Sequence, residues 1–321
     1  AAAPPAAAPP AAAGLPEPMP TNAGSGPYLT PIVRKLATDL GVDVSSIAGS
    51  GVGGRIRKED ILANASGKKS PSPSISPNPL EASNLRGSTI QMSRLRKVIA
   101  ERAVSSMQQT AQLTSVVEAD VTEISELRSA IKGRFLETAG AKLSYLPFFV
   151  KAAAEALQKF PIINCVVDGE NIVYPPHENI SIAVDTERGL LTPVLKNAGA
   201  KNIAEIAREV ADLAERTRTN QLSPDELAGG TFTLTNTGSR GALFDTPVVF
   251  LPQVAILGTG IVQKKPVVVS HEGDDAIAIR DTVFLALSYD HRVVDGADAA
   301  RFLSSIKERL EEGKFDGDLG M

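Results

Sequence analysis

Two proline-rich tracts decide which parts of this chain can build a core. Residues 1–26 are mostly Ala, Pro and Gly, and residues 66–87 include Ser70-Pro71-Ser72-Pro73-Ser74. Such stretches bury too little apolar surface to offset the entropy of ordering, and their prolines favour extended backbone. Both read as linkers. What remains is an island at 27–65, too small for a large core, and residues 88–321, ample for one α/β core. A linker at the start of the chain leads us to expect a further segment upstream.

Composition narrows the functional classes. Hydrophobic residues make up 43% and charged residues 22% of the 321, with a net charge of −4. That balance gives no whole-chain attraction to nucleic acid or to an anionic membrane surface. The single cysteine, Cys165, excludes an internal disulfide, and with only three histidines it argues against a Cys/His metal site. The most apolar stretch, Val248 to Gly258, is too short to span a bilayer and carries Pro252 and Gln253. The alanine-rich start is broken by Pro4, Pro5, Pro9 and Pro10 and lacks a basic leader, so it does not read as a signal peptide. The expected setting is a reducing cytoplasm.

The island carries two short helical patterns. Thr30 as N-cap, Pro31 at the first helical position, apolar Ile32, Val33, Leu36 and Leu40, and Gly41 as stop define the first. The second, Arg57 to Leu62, follows a glycine-rich loop from Gly49 to Arg55. In the larger segment, residues 94–107 and 121–134 read as helices, and Ile203, Ile206, Ala207, Val210, Leu213 and Ala214 form one apolar face. Ser223-Pro224-Asp225-Glu226 has the form of a capping-box helix start. Strands are expected at Ile180–Val184, Thr231–Thr235 and Val283–Tyr289, the last apolar on both faces and so covered on both.

This last strand runs into Ser288-Tyr289-Asp290-His291-Arg292-Val293-Val294-Asp295-Gly296 and then a helix with Ala299, Phe302, Leu303, Ile306 and Leu310 on one side. His291 therefore stands at a strand-to-helix junction, where rigid elements hold a side chain beside an open cleft, a setting that suits a general base. Asp295 can orient the turn, pair with a base or cap the helix. Taken alone, a histidine four residues before an aspartate also arises by chance. The run Thr231-Phe232-Thr233-Leu234-Thr235-Asn236 puts Phe232 and Leu234 on one face and three threonines on the other. Threonines favour strands for their own sake, but a hydroxyl beside Asn236 can also donate to an oxyanion.

These two runs resemble the signatures of the dihydrolipoamide acyltransferases of 2-oxo acid dehydrogenase complexes. His291-x-x-x-Asp295-Gly296 looks like the catalytic motif those enzymes share with chloramphenicol acetyltransferase, and Thr233 to Asn236 resembles their oxyanion strand. Ala183 to Val194 and Pro252 to Gly258 are similar to the family too, so the likeness covers nearly all of residues 90–315. Residues 28–65, with Gly49-Ser50-Gly51 and Gly54 to Ile61, resemble the peripheral-subunit-binding domain of the same enzymes. The overall pattern is most similar to actinobacterial pyruvate-complex acetyltransferases, although Ala111 to Thr114 and Gly241 to Phe244 have a succinyltransferase-like look.

The resemblance implies an α/β catalytic domain like chloramphenicol acetyltransferase, with a mixed sheet and covering helices, preceded by a small helical peripheral-subunit-binding domain. It implies transfer of an acyl group, acetyl or alternatively succinyl, between a dihydrolipoyl arm and coenzyme A, with His291 as base, Thr235 as oxyanion donor and Asp295 shaping the site. A scaffold that has lost catalysis is the rival reading. Arg34, Arg55 and Lys58 would meet an acidic surface on dihydrolipoyl dehydrogenase or the 2-oxo acid decarboxylase, unless they are merely a solvated basic face. The family's site lies between copies of a homotrimer. No part of residues 1–321 resembles the lipoyl-bearing domain, so the arm is expected from upstream sequence or another chain. Family trimers usually join into cages through an aliphatic C-terminal segment, which Asp316, Gly317, Asp318 and Gly320 interrupt here. Trimers without strong cage assembly are the expectation.

Overall fold

The computed structural model describes residues 29–65, 81–271 and 273–321. The expected linker at 1–26, the first residues of the island, and the 66–80 part of the second linker lie outside the described residues. The chain divides into two compact units between Ser88 and Thr89.

In the smaller unit, α1 (Pro31–Asp39) and α2 (Lys58–Ala65) enclose a core of Val33, Ala37, Ile47, Ile56 and Ile61. Thr30 is the N-cap of α1, and the chain leaves the helix through Gly41 at φ 64°. The inward face differs from the expected one: Ile32 and Leu40 point outward, and Ala37 takes the buried position four residues after Val33. The glycine-rich loop is tied down by the Asp60 carboxylate, which accepts from the N–H groups of Arg57 (2.8 Å) and Ser50 (3.0 Å). Those bonds hold its pKa below the usual carboxylate value.

The larger unit runs α3 (Arg94–Gln109), β1 (Gln112–Asp120), α4 (Thr122–Ala139), α5 (Leu146–Lys159), β2 (Val166–Asp168), β3 (Asn171–Val173) and β4 (Ile180–Ile182). It continues with β5 (Val184–Thr186), β6 (Gly189–Leu191), β7 (Val194–Leu195), α6 (Ile203–Arg218), β8 (Phe232–Asn236) and β9 (Ala255–Thr259). The last elements are β10 (Gln263–His271), β11 (Asp274–Asp290) and α7 (Gly296–Glu312). Seven strands form one sheet in the order β1-β11-β9-β8-β4-β7, with β10 paired to β11. The sheet is mixed, since β8 runs parallel to β4 and β9 and the other pairs are antiparallel.

One face of this sheet is the core. Ile182, Phe232, Leu234, Leu257, Leu285, Leu287 and Tyr289 pack there with residues of α4, α5, α6 and α7, including Phe302 edge-on to Phe232. The opposite face is polar near β8. The Thr231 hydroxyl donates to Asn164 Oδ1 (2.7 Å) and that of Thr233 to Gln253 Oε1 (2.6 Å), so these threonines are buried and satisfied, not turned to solvent. The capping box at Ser223 forms but caps only a single turn, Pro224–Glu226, because Gly229 and Gly230 follow and the chain must enter β8. No helix among the described residues is long and apolar enough to cross a membrane.

The chain end folds back on its own unit. Phe315 is buried edge-on against Phe148 (centroids 5.2 Å apart), and Leu319 is buried with its carbonyl accepting from Ala204 N–H (3.1 Å). Asp318 pairs with Arg309 (2.5 Å) and Lys151 (3.7 Å).

Candidate active site

β11 ends at Asp290, and the turn His291–Val294 leads into α7, whose N-cap position is Asp295. The carboxylate that pins this turn is Asp290, nearly fully buried. It accepts from the Arg292 guanidinium (2.6, 2.9 and 3.0 Å), the Arg292 N–H (3.1 Å) and the Ala111 N–H (3.2 Å). Burial pushes its pKa up, but the Arg292 and Ala111 bonds more than offset this and leave it below the ordinary value. The His291 N–H in turn donates to the Ala111 carbonyl (2.9 Å). Sequence reasoning missed this clamp, although an aspartate at the end of a strand was its signal: an Asp side chain readily accepts from the backbone N–H two residues on and so starts a turn.

The His291 ring lies beside the Tyr289 ring (centroids 5.9 Å) and is 40% exposed. Its Nδ1 is 3.9 Å from Asp295 Oδ1, too far for a hydrogen bond, and the Asp295 carboxylate is 79% exposed and makes no helix-capping bond. In a single chain Asp295 stands at the N-cap position of α7 without orienting the imidazole.

Thr235 stands on β8 two residues beyond buried Thr233, on the same face, and is partly exposed. Its hydroxyl has no hydrogen bond among the described residues, in contrast to those of Thr231 and Thr233. Beyond it, Asn236 folds the chain into a turn, its Oδ1 accepting from Ser239 N–H (3.2 Å) and its carbonyl from the Ser239 hydroxyl (3.0 Å).

One chain does not bring His291 and Thr235 together. Thr235 pairs with Gly258, and Gly258 with Ala286, five residues before His291. Five strand steps along β11 and two strand spacings across put them on the order of 20 Å apart. They also belong to opposite faces: Thr235 shares its face with Thr233, whereas His291 lies beside Tyr289 on the helix-covered side. A base and an oxyanion donor that serve one carbonyl must each be within hydrogen-bond reach of the reacting atoms.

In the smaller unit, Arg34, Arg55 and Lys58 are all exposed, and Arg34 borders a cleft of about 550 Å³ with Lys35 and Asp39.

Residues 85–315 match the catalytic domain of the 2-oxoacid dehydrogenases acyltransferases, and residues 27–62 match the e3 binding domain. The chain is 50% identical over 304 residues to the dihydrolipoyllysine-residue acetyltransferase component of the pyruvate dehydrogenase complex of Corynebacterium glutamicum, covering 91% of this chain and 45% of the relative. It is 40% identical over 299 residues to the succinyltransferase component of the 2-oxoglutarate dehydrogenase complex of Pseudomonas aeruginosa, covering 90% of this chain and 72% of the relative. The chain thus spans about half the length of the curated acetyltransferases it matches. A crystallographic structure of the dihydrolipoamide acetyltransferase of Azotobacter vinelandii is 34% identical, with a TM-score of 0.67 over 73% of this chain and 97% of that one. That protein is described with a serine, a histidine and an asparagine in its catalytic mechanism, the last two four positions apart, as His291 and Asp295 are. The extent of these matches, across both units and over most of the larger one, shows that this chain belongs to the 2-oxoacid dehydrogenase acyltransferase family.

Proposed function

We propose that this chain transfers an acetyl group between an S-acyldihydrolipoyl arm and coenzyme A, in a site that takes its base from one copy and its oxyanion donor from another. The observation that carries this reading is the separation just described: an exposed histidine on a clamped turn and an unpartnered hydroxyl on the far face. Neutral His291, its Nδ1 turned toward Asp295, would use Nε2 to take the proton from the coenzyme A thiol. The thiolate attacks the thioester carbonyl, and the Thr235 hydroxyl donates to the resulting oxyanion, a contribution of about 3 kcal/mol for one well-placed donor. As the intermediate collapses, the bond to the dihydrolipoyl sulfur breaks and the imidazolium returns the proton to that sulfur. No acyl-enzyme forms. Asp295 supports the turn and takes no proton.

Acetyl is favoured because the 50% identical relative is an acetyltransferase, whereas the succinyltransferase is 40% identical. The arm would be carried by a lipoyl domain outside residues 1–321, and a homotrimer in the cytoplasm is the assembly that fits. The smaller unit would hold dihydrolipoyl dehydrogenase or the decarboxylase on Arg34, Arg55 and Lys58, in keeping with the e3 binding match. Formation of acetyl-CoA from S-acetyldihydrolipoamide tests the assignment. His291→Ala should lower turnover by roughly 10²–10⁴-fold with the fold intact. Thr235→Ala should lower the maximal rate far more than it weakens coenzyme A binding. Near-normal turnover in either variant overturns its role, and faster turnover of succinyl than acetyl donors would move the substrate to the alternative.

A further inference from the structure

Between β8 and β9 the chain makes a long strap, residues 237–254, and side chains distant in sequence hold it down. The Gln112 amide on β1 makes two bonds to it: Nε2 donates to the Pro247 carbonyl (3.1 Å) and Oε1 accepts from the Val249 N–H (3.0 Å). The Ser106 hydroxyl on α3 donates to the Val249 carbonyl (2.5 Å), and Val249 is buried. On the other side, the Ala242 carbonyl accepts from the Ile261 N–H (2.9 Å). Between Ala242 and Val249, the bond from Gln112 to Pro247 is the strap's only hydrogen bond to another element among the described residues. A side-chain amide suits this task because it carries a donor and an acceptor side by side, which neither a carboxylate nor a thioether does.

What the strap lays beside Thr235 gives the bracket a meaning for chemistry. Gly258 is the strand partner of Thr235, one spacing of about 4.8 Å away. A Cβ on Gly258 would meet Cδ and Cγ of Pro247, both at 3.7 Å, so the proline ring covers the place where Gly258 has no side chain. Towards the start of β8, Thr233 is buried, and its hydroxyl donates to Gln253 Oε1 while Gln253 Nε2 donates to the Gly230 carbonyl (3.1 Å). The Thr235 hydroxyl is therefore bounded by an apolar ring on one side and by a hydrogen-bonded amide on another. A thioester whose oxygen this hydroxyl holds must fit its acyl chain within those bounds.

We propose that Gln112 is a positioning residue that limits the length of the acyl group, by fixing the Pro247 ring as a wall beside Thr235. The proposal rests on the oxyanion role given to Thr235 above and names what bounds the group it would hold. The neighbouring Ala111 serves the histidine turn through its backbone alone, with its N–H on Asp290 and its carbonyl on the His291 N–H. Changing the Gln112 side chain therefore acts on the wall and leaves those bonds in place.

Transfer to coenzyme A from S-acetyl-, S-propionyl- and S-butyryldihydrolipoamide tests this in the full chain. Gln112→Met keeps the length of the side chain and loses both bonds to the strap. Pro247→Ala removes the ring and keeps the carbonyl that Gln112 holds. In each, the butyryl-to-acetyl ratio of kcat/KM should rise about 10-fold or more, since one methylene in a fitted pocket decides roughly 10–200-fold. Gln112→Glu can still accept from the Val249 N–H and should give a smaller rise. The double variant Gln112→Met with Pro247→Ala should rise no further than Pro247→Ala alone, because both act on one wall. A folded Gln112→Met chain with the unmodified ratio, or with an equal loss for all three donors, overturns the proposal and leaves Gln112 a structural fastener. Should Gln112→Met not fold, an unmoved ratio in either Gln112→Glu or Pro247→Ala overturns it. An unmodified chain that transfers no acyl group refutes the function and this proposal with it, whereas acetyl transfer with unmoved ratios refutes this proposal alone.

Discussion

Mixing two inactive variants separates a site shared between copies from a site within one. Chains with His291→Ala keep Thr235, and chains with Thr235→Ala keep His291. Loss of the base should cost about 10²–10⁴-fold, and loss of a single oxyanion donor about 10²–10³-fold, so each variant alone should run at roughly 1% or less. When the two are refolded together in equal amounts, each site draws its base from one copy and its hydroxyl from the next. Half of the bases and half of the hydroxyls are intact, so about one quarter of the sites in a closed ring regain both. The mixture should then form acetyl-CoA from S-acetyldihydrolipoamide at about one quarter of the unmodified rate, roughly 25-fold or more above either parent. Refolding the variants separately and combining them afterwards, with no exchange, supplies the baseline. If the co-refolded mixture runs at the average of its parents while unmodified protein refolded the same way is active, the two residues serve the same copy or neither serves the reaction, and a site shared between copies is refuted.

Two further outcomes follow from other parts of the chain. Arg34→Glu with Arg55→Glu should weaken binding of dihydrolipoyl dehydrogenase, with the residual binding less sensitive to salt, and leave transfer to free dihydrolipoamide unchanged; equal loss of both would contradict separable units. In light scattering at low micromolar concentration, the 321-residue chain should have the mass of three copies, because Phe315 and Leu319 are already buried against their own unit and Asp318 is held by Arg309 and Lys151; a stable particle many times heavier would refute this.

Much of the fold was legible because its signals are local. The α6 face from Ile203 to Ala214, the stop of α1 at Gly41 and the double-sided burial of Val283 to Tyr289 are each written in a few neighbouring residues. The failures lay where distant residues decide. Ile32 and Leu40 are apolar, yet residues later in the island, Ile47, Ile56 and Ile61, determine which side of α1 is covered. The capping box at Ser223 is chemically complete, but the chain's need to enter β8 ends it after one turn.

The site divides in the same way. Residue types named His291, Thr235 and Asp295, but the distance between the first two depends on β8, β9 and β11 being neighbours in that order, which no local pattern encodes. The register that sets the offset is held tightly just past Thr235. A Cβ on Gly238 would lie 2.2 Å from the Gly260 carbonyl oxygen, and one on Gly260 would lie 1.8 Å from that of Leu243, so three backbone segments meet there with no room for side chains. A slip of one residue at this point would turn Thr235 into the helix-covered core and Leu234 out of it. The two glycines therefore act on chemistry through geometry: they keep the hydroxyl on the face away from its own chain's histidine, and the chemistry proposed for it then requires a second copy.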